Sequence, residues 1–402
     1  MSDTDPLAPN IDARDASPRN KLALIWLVLP LAALAAAIAW LVTSDLLGSF
    51  DNGVPPVENL TFERTILSSD GIATRVRASG SDPMMIAQVL VDDAYWQFEQ
   101  TPPGPLSRGQ SAWIHVPYPW VQGEAHVIKT ITNTGATFEH EIPVAVTSPT
   151  QSNGTLLFQT LLGVFVGIVP VSIGLLFYPA LRGVGQPGMN FLLAMTVGLL
   201  AYLMIDAAGE AFELASQSAA IFQGQIMVVF ASAASFLILM AVGRRHGAPT
   251  GLALATFIAL GIGLHNLGEG LAIGAAFAAG SAGLGTFLIL GFAIHNITEG
   301  IGIAAPILKK RPSLITFPAL TLLAGGPAII GLWIGSLAAA PQWSALALSI
   351  GAGAILQVII EVGSYLARSN GRGSAALYSP SVLSGLIFGV AFMYATAMLV
   401  KI

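Results

Sequence analysis

Nine stretches of this chain are long, apolar and almost free of charge, and that feature decides what it can fold into. One runs from Leu22 to Val42. Eight more cover about 155–179, 188–212, 219–242, 250–278, 284–307, 314–339, 343–367 and 378–400. Each can cross ~30 Å of hydrocarbon as a helix rising ~1.5 Å per residue. In lipid only helices and closed barrels satisfy their own peptide groups, and these runs are too long for barrel strands. The chain therefore reads as a polytopic α-helical membrane protein. Of its 402 residues 54% are hydrophobic and 10% charged, against about 25% charged in a soluble domain, which excludes an ordinary cytosolic enzyme. The lack of cysteine excludes disulfides, cysteine-based zinc or iron–sulfur sites and thiol nucleophiles. The net charge of −5 is segregated along the chain and says little about partners; membrane lipid is expected as a partner from the spans, and nucleic acid is not.

Four regions follow. Residues 1–20 are polar and aperiodic, as in a disordered tail. Residues 21–43 read as a membrane anchor. Arg14, Arg19 and Lys21 before it also suit a cleaved signal peptide, but about 20 apolar residues exceed the 7–15 of a signal core. Residues 48–150 change character. Thr74–Ala78, Met85–Val91, Tyr95–Gln100 and Ala112–Val116 alternate as strands, and the segment around Asn133-Thr134-Gly135 reads as a hairpin. About seven short strands in some 100 residues predict a small all-β sandwich, of immunoglobulin-like type. Residues 153–402 hold the remaining eight spans.

The basic residues give an orientation. Arg14, Arg19 and Lys21, then Arg182, Arg244–Arg245, Lys309–Arg311, and Arg368 with Arg372 fall on one side if all nine runs span. The loops at 215–219, 279–284 and 340–343 hold no Lys or Arg. Positive residues stay cytoplasmic, which places the N-terminus inside and the β-domain and C-terminus outside.

Beyond Arg245 the chain has three carboxylates, Glu269, Glu299 and Glu361, and all three lie within predicted spans. A charge there costs a few kcal/mol or more unless it is paired or binds a cation. Two of the three belong to a repeat: His265-Asn266-Leu267-Gly268-Glu269-Gly270 in one span and His295-Asn296-Ile297-Thr298-Glu299-Gly300 in the next. His and Glu four apart share a helix face. Two such faces turned together present two imidazoles and two carboxylates, a set suited to Zn²⁺, Fe²⁺, Mn²⁺ or Co²⁺ rather than Cu⁺. A hydrogen-bonded packing network between helices is the plainer alternative.

This repeat closely resembles the fourth and fifth helices of ZIP-type divalent metal transporters, above all the prokaryotic branch that repeats HNxPEG. The resemblance covers about 155–402. It implies an eight-helix ZIP-like bundle, preceded here by the anchor and the β-domain, that carries Zn²⁺, and also Fe²⁺, Mn²⁺ or Cd²⁺, toward the cytoplasm of a prokaryotic cell. It implies a secondary transporter in the inner membrane, possessing no catalytic cofactor and forming a homodimer. By position it assigns His265, Glu269, His295 and Glu299 to a primary metal site, and Asn266 and Asn296, sharing the glutamates, to a second. It further implies a helix group that moves against a scaffold.

This sequence departs from the pattern in three places. Gly268 and Thr298 replace the proline before each motif glutamate. Gly325-Gly326-Pro327 stands where a Glu-Pro of the sixth family helix would help hold the second ion, so that site is expected to be weak. The loop Gly243–Pro249 carries only His246 where relatives are often histidine-rich. Asp206 and Glu210, with Glu213 beyond, are candidates for the outer approach, and Gln357 and Glu361 for the exit. Met84, Met85, His115, His126 and His140 of the β-domain are expected in core or surface roles. The ligands all follow residue 150, so the bundle is expected to work without the β-domain. Two other classes fit a membrane-buried His/Glu set: an intramembrane metal-dependent hydrolase, which lacks a third histidine and a separate base here, and a metal-sensing receptor.

Overall fold

The computed structural model describes residues 19–43, 56–148, 153–245, 247–278, 282–337, 340–369 and 373–400. Residues 1–18 of the predicted 1–20 tail and His246 lie outside them, and Arg19 and Asn20 belong to the first helix. The chain divides into two compact units, Met1–Pro56 and Val57–Ile402. The first contains one helix, α1 (Arg19–Thr43). Apolar side chains around it, Trp26, Leu31 and Trp40 among them, are exposed, as suits a helix surrounded by lipid.

The second unit begins with eight strands: β1 (Leu60–Ser68), β2 (Gly71–Ala78), β3 (Ile86–Val91), β4 (Ala94–Trp96), β5 (Glu99–Thr101), β6 (Ser111–Val116), β7 (His126–Thr132) and β8 (Thr137–Ile142). They form two four-stranded antiparallel sheets, ordered β1-β2-β6-β5 and β4-β3-β7-β8. Alternate residues point inward, so Ile72, Val76, Val89, Ile114 and Ile128 meet in one core between the sheets. The predicted β7–β8 hairpin is present, with Gly135 at φ 91° where a side chain would be strained. Asp92 and Asp93, both at positive φ, turn β3 into β4 as a two-residue loop must.

One strand boundary differs from the sequence reading. Tyr95–Gln100 is two strands in different sheets: β4 pairs with β3, and β5 pairs with β6. The chain changes sheets at Gln97-Phe98, where Phe98 packs on the core. Alternation alone cannot reveal a switch of partner, because the pattern persists across it.

The bundle follows. A first helical path joins α2 (Asn153–Gly163), a π-helical turn (Val164–Ile168), α3 (Val169–Leu176) and α4 (Tyr178–Leu181). Then come α5 (Gln186–Ser216), α6 (Gly224–Gly243), α7 (Leu252–Ala278), α8 (Ala282–Ala304), α9 (Thr316–Leu337), α10 (Pro341–Ser369) and α11 (Pro380–Val400). Seven of these paths are long and apolar enough to cross a membrane, the mark of a multi-pass membrane protein. Helix α8 occupies the remaining predicted segment. The β-domain sits at the bundle end where α5 and α9 finish and α10 begins, and Arg182, Arg244 and Lys309 lie at the helix ends opposite.

Close glycine contacts group the helices of this unit into two sets. A Cβ on Gly270 would fall 2.1 Å from Ala328 O, and one on Gly331 2.1 Å from Leu267 O, so α7 and α9 touch main chain to main chain. Likewise Gly174 and Gly300 join α3 to α8, and Gly167 and Gly325 join the π turn to α9. Elsewhere Gly353 meets Ser232 O, binding α10 to α6, and Gly389 meets Met195 O, binding α11 to α5. Across the boundary the nearest atoms to Gly261, Gly268 and Gly302 belong to the side chains of Val358, Leu348 and Thr196, while Gly351 of α10 meets the main chain of His265. One body is therefore α2, α3, α7, α8 and α9, and the other is α5, α6, α10 and α11. Small residues let backbones lock, whereas a side-chain seam can rearrange by rotamer changes.

Candidate metal centre

His265 lies at the midpoint of α7, and His295 in the body of α8. In each motif the four-residue spacing stacks His over Glu, and the two motif faces turn toward each other. His295 Nε2 is 2.8 Å and His265 Nε2 is 3.1 Å from the same atom, Glu269 Oε1. Donor atoms of His265, His295 and Glu299 lie within 4.8 Å of one another. All four side chains are at least 95% buried.

The Asn and the last Gly shared by both copies of the repeat explain how those faces are held. One residue on from each histidine, about 100° around the helix, an asparagine turns to a neighbouring helix. Asn266 Nδ2 donates to Ala324 O of α9 at 3.0 Å, and Asn296 Nδ2 donates to Val166 O of the π turn at 2.9 Å. One turn further, Gly270 abuts α9 at Ala328 O and Gly300 abuts α3 at Val171 O. Asn and Gly thus dock each motif helix onto its partner, and His and Glu face the interior.

With the amide nitrogens engaged, Asn266 Oδ1 and Asn296 Oδ1 are buried and without a hydrogen-bond donor. So are Glu269 Oε2 and both oxygens of Glu299. Buried acceptors are normally satisfied, and leaving one bare costs about 1–3 kcal/mol, more for a charged group. Five bare acceptor oxygens beside two imidazoles fit a borderline divalent cation, which neutral water-excluding packing would not explain. Bonds of ~2.0 Å to a tetrahedral ion put neighbouring donors about 3.3 Å apart, close to the spacing already present around Glu269 Oε1.

The remaining predicted residues divide. Asp206 and Glu210 are exposed on α5, within electrostatic reach of His265. Gln357 and Glu361 are fully buried one turn apart on α10. Arg244 Nε reaches Glu361 Oε1 at 2.7 Å from the end of α6, so this acid is held in an ion pair within the second body. Sequence reading used Arg244 only as a marker of orientation, because nothing local links it to a residue 117 positions away.

Gly326 needs correcting. It shares a helix face with Leu322 and Ile330, which are 58% and 49% exposed, and no atom lies within 4 Å of a Cβ placed there. A carboxylate at 326 would leave the helix on its outer side.

In the β-domain, Met84 is core, and Met85 is exposed. His126 bonds Asp92 at 2.7 Å, and His140 stacks on Phe62 and bonds Thr65. Burial opposes ionisation of Asp92, but the Val127 N–H, His126 and Tyr118 outweigh it and hold its carboxyl below the usual value. Burial, then the bond to Asp92, pushes the Tyr118 phenol up to about 12.

No family model matches this chain, and no curated protein matches it.

Proposed function

We propose that the chain is a ZIP-like transporter that moves a divalent transition metal, Zn²⁺ first among Zn²⁺, Fe²⁺, Mn²⁺ and Cd²⁺, across a prokaryotic inner membrane toward the cytoplasm. The observation that carries this reading is the bare Glu299 carboxylate. It is 1% exposed, has neither oxygen satisfied, and stands within reach of two imidazoles. A packing network would leave no such acceptor, and a cation supplies what it lacks.

Transport then needs no covalent chemistry. The ion is held by His265, Glu269, His295 and Glu299, all borne on the first helix body, near mid-span. Sliding of that body against the second would expose the site to each side in turn. Asp206 and Glu210 raise the local cation concentration at one approach. The lysines and arginines at the bundle end remote from the β-domain support a cytoplasmic location for that end.

Saturable accumulation of ⁶⁵Zn²⁺ by proteoliposomes of the purified protein tests this. His265→Ala and Glu299→Ala should abolish accumulation while each variant still runs as a folded monodisperse species in detergent. Undiminished uptake by either variant, or lipid or peptide cleavage without accumulation, would overturn the reading.

A further inference from the structure

The β-domain is fastened to both helix bodies, and the two attachments differ in kind. In β1, Phe62 pairs with Val76 and Arg64 with Arg75, leaving Glu63 as an extra residue in a bulge. A bulge re-aims its side chain, and Glu63 is directed at the bundle, where its side chain is 1% exposed. Arg77 grips it with bonds of 2.5 and 3.1 Å, and Gln342 Nε2 at the start of α10 donates to it at 3.0 Å. The guanidinium of Arg77 lies over the ring of Phe222, between α5 and α6, at 5.4 Å. This buried, charge-paired clamp belongs to the second helix body.

The next residue reaches the first body. Arg64 Nη1 donates to Leu337 O, in the last turn of α9, at 2.7 Å in an exposed position. A cation at a helix C-terminus meets unsatisfied carbonyls and the negative end of the dipole, a contact worth a fraction of a kcal/mol to ~1 when exposed. It can therefore break and re-form during a transport cycle, whereas the bond from Gln342 to Glu63 is buried, and Glu63 is held in place within the β-domain by Arg77, which itself lies over Phe222.

We propose that the β-domain is a coupling element of the transporter: fixed to the α6–α10 body by Glu63 and Arg77, it holds the α9 body in one position through Arg64, which must release Leu337 for the site to change sides. Arg64 is a positioning residue that touches no metal. The inference rests on the transport reading above, and it reverses the expectation that the β-domain is dispensable.

Because the chain has no cysteine, paired cysteines can be introduced without background. Arg64→Cys with Leu337→Cys, and Glu63→Cys with Gln342→Cys, would each be joined by a short, reductively cleavable bifunctional thiol reagent in proteoliposomes. The 64–337 link should lower ⁶⁵Zn²⁺ uptake by about tenfold or more, restored on cleavage, while equilibrium metal affinity stays unchanged. The 63–342 link should leave uptake within about twofold of the unlinked pair. Arg64→Ala should raise the maximal rate but leave metal affinity unchanged, and Arg64→Lys should bring the rate back toward that of the unsubstituted protein; a rate that falls in Arg64→Ala overturns the restraint. Uptake that persists through a complete 64–337 link overturns the coupling role alone. Equal inhibition by both links overturns the division into fixed and releasable contacts. Uptake absent already from the unmodified protein overturns the transport reading and this proposal with it.

Discussion

Gly270→Ala and Gly326→Ala add the same methyl group to neighbouring helices, and their contrast isolates the packing that holds the metal centre. At 270 the new carbon would meet Ala328 O at 2.1 Å. A carbon–oxygen contact settles at about 3.3 Å, so α7 and α9 must part by about 1.2 Å. Neither side can yield by a rotamer change, because the opposing atom is main chain. Overpacking of this kind costs about 1–3 kcal/mol. At 326 the methyl meets nothing within 4 Å. Both substitutions gain up to ~1 kcal/mol of helix propensity, so that term cancels and the difference in stability between them should be about 1–3 kcal/mol. The displacement also carries Glu269, the residue before Gly270, away from His295. A shift near 1 Å in a preorganised site should weaken metal binding tenfold or more. Thermal unfolding in detergent gives the first quantity and calorimetric Zn²⁺ titration the second. If Gly270→Ala is as stable and binds as tightly as Gly326→Ala, the account of how the motif glycine positions its glutamate is wrong.

Other outcomes follow from the same contacts. Arg244→Ala strips Glu361 of its partner and should cost up to about 3 kcal/mol in unfolding free energy, with Glu361→Gln restoring most of it in the double variant; additive effects would refute the pair. Anomalous scattering over a metal titration should find one tight ion and a second only at high metal, lost in Asn266→Ala and not strengthened by Gly326→Glu. Asp92, held below its ordinary 3.8 in the folded chain, contributes stability above that pH that is lost as pH falls through its folded value; Asp92→Asn should remove this acid-side loss of thermal stability. His140, lowered from 6.5 by burial, stays neutral when the unfolded chain takes up a proton, so stability should decline as pH drops below about 6.5, and His140→Phe should flatten that slope.

The spans and the paired motif were legible because both are periodic: lipid demands about 20 apolar residues, and a four-residue spacing fixes a shared helix face. The metal assignment itself remains the proposal argued above. What sequence could not carry was partner identity. The break in Tyr95–Gln100, the Arg244–Glu361 pair and the Glu63–Gln342 bond each depend on which distant element lies opposite. Glu63 was invisible for a further reason, since a bulge suspends the alternation by which inward residues are found. Gly326 aligned by motif position, yet its direction is set by how α9 packs, and that is a property of its neighbours.

The π turn at Val164–Ile168 has a consequence for which length changes this protein can absorb. Such a turn holds one residue more than an α-helix needs. Deleting a residue there would relax it to α-helix at little local cost and would leave the helix beyond it close to its present direction and depth, because the π turn is the place where the extra residue is already absorbed. Gly174 would then keep its contact with Gly300, and the change would be felt inside the turn, at Val166 O and its bond to Asn296. Single-residue deletions in 164–168 should therefore be better tolerated than deletions in the α-helical turns of α5 or α7, which rotate all that follows by about 100° and draw it back ~1.5 Å.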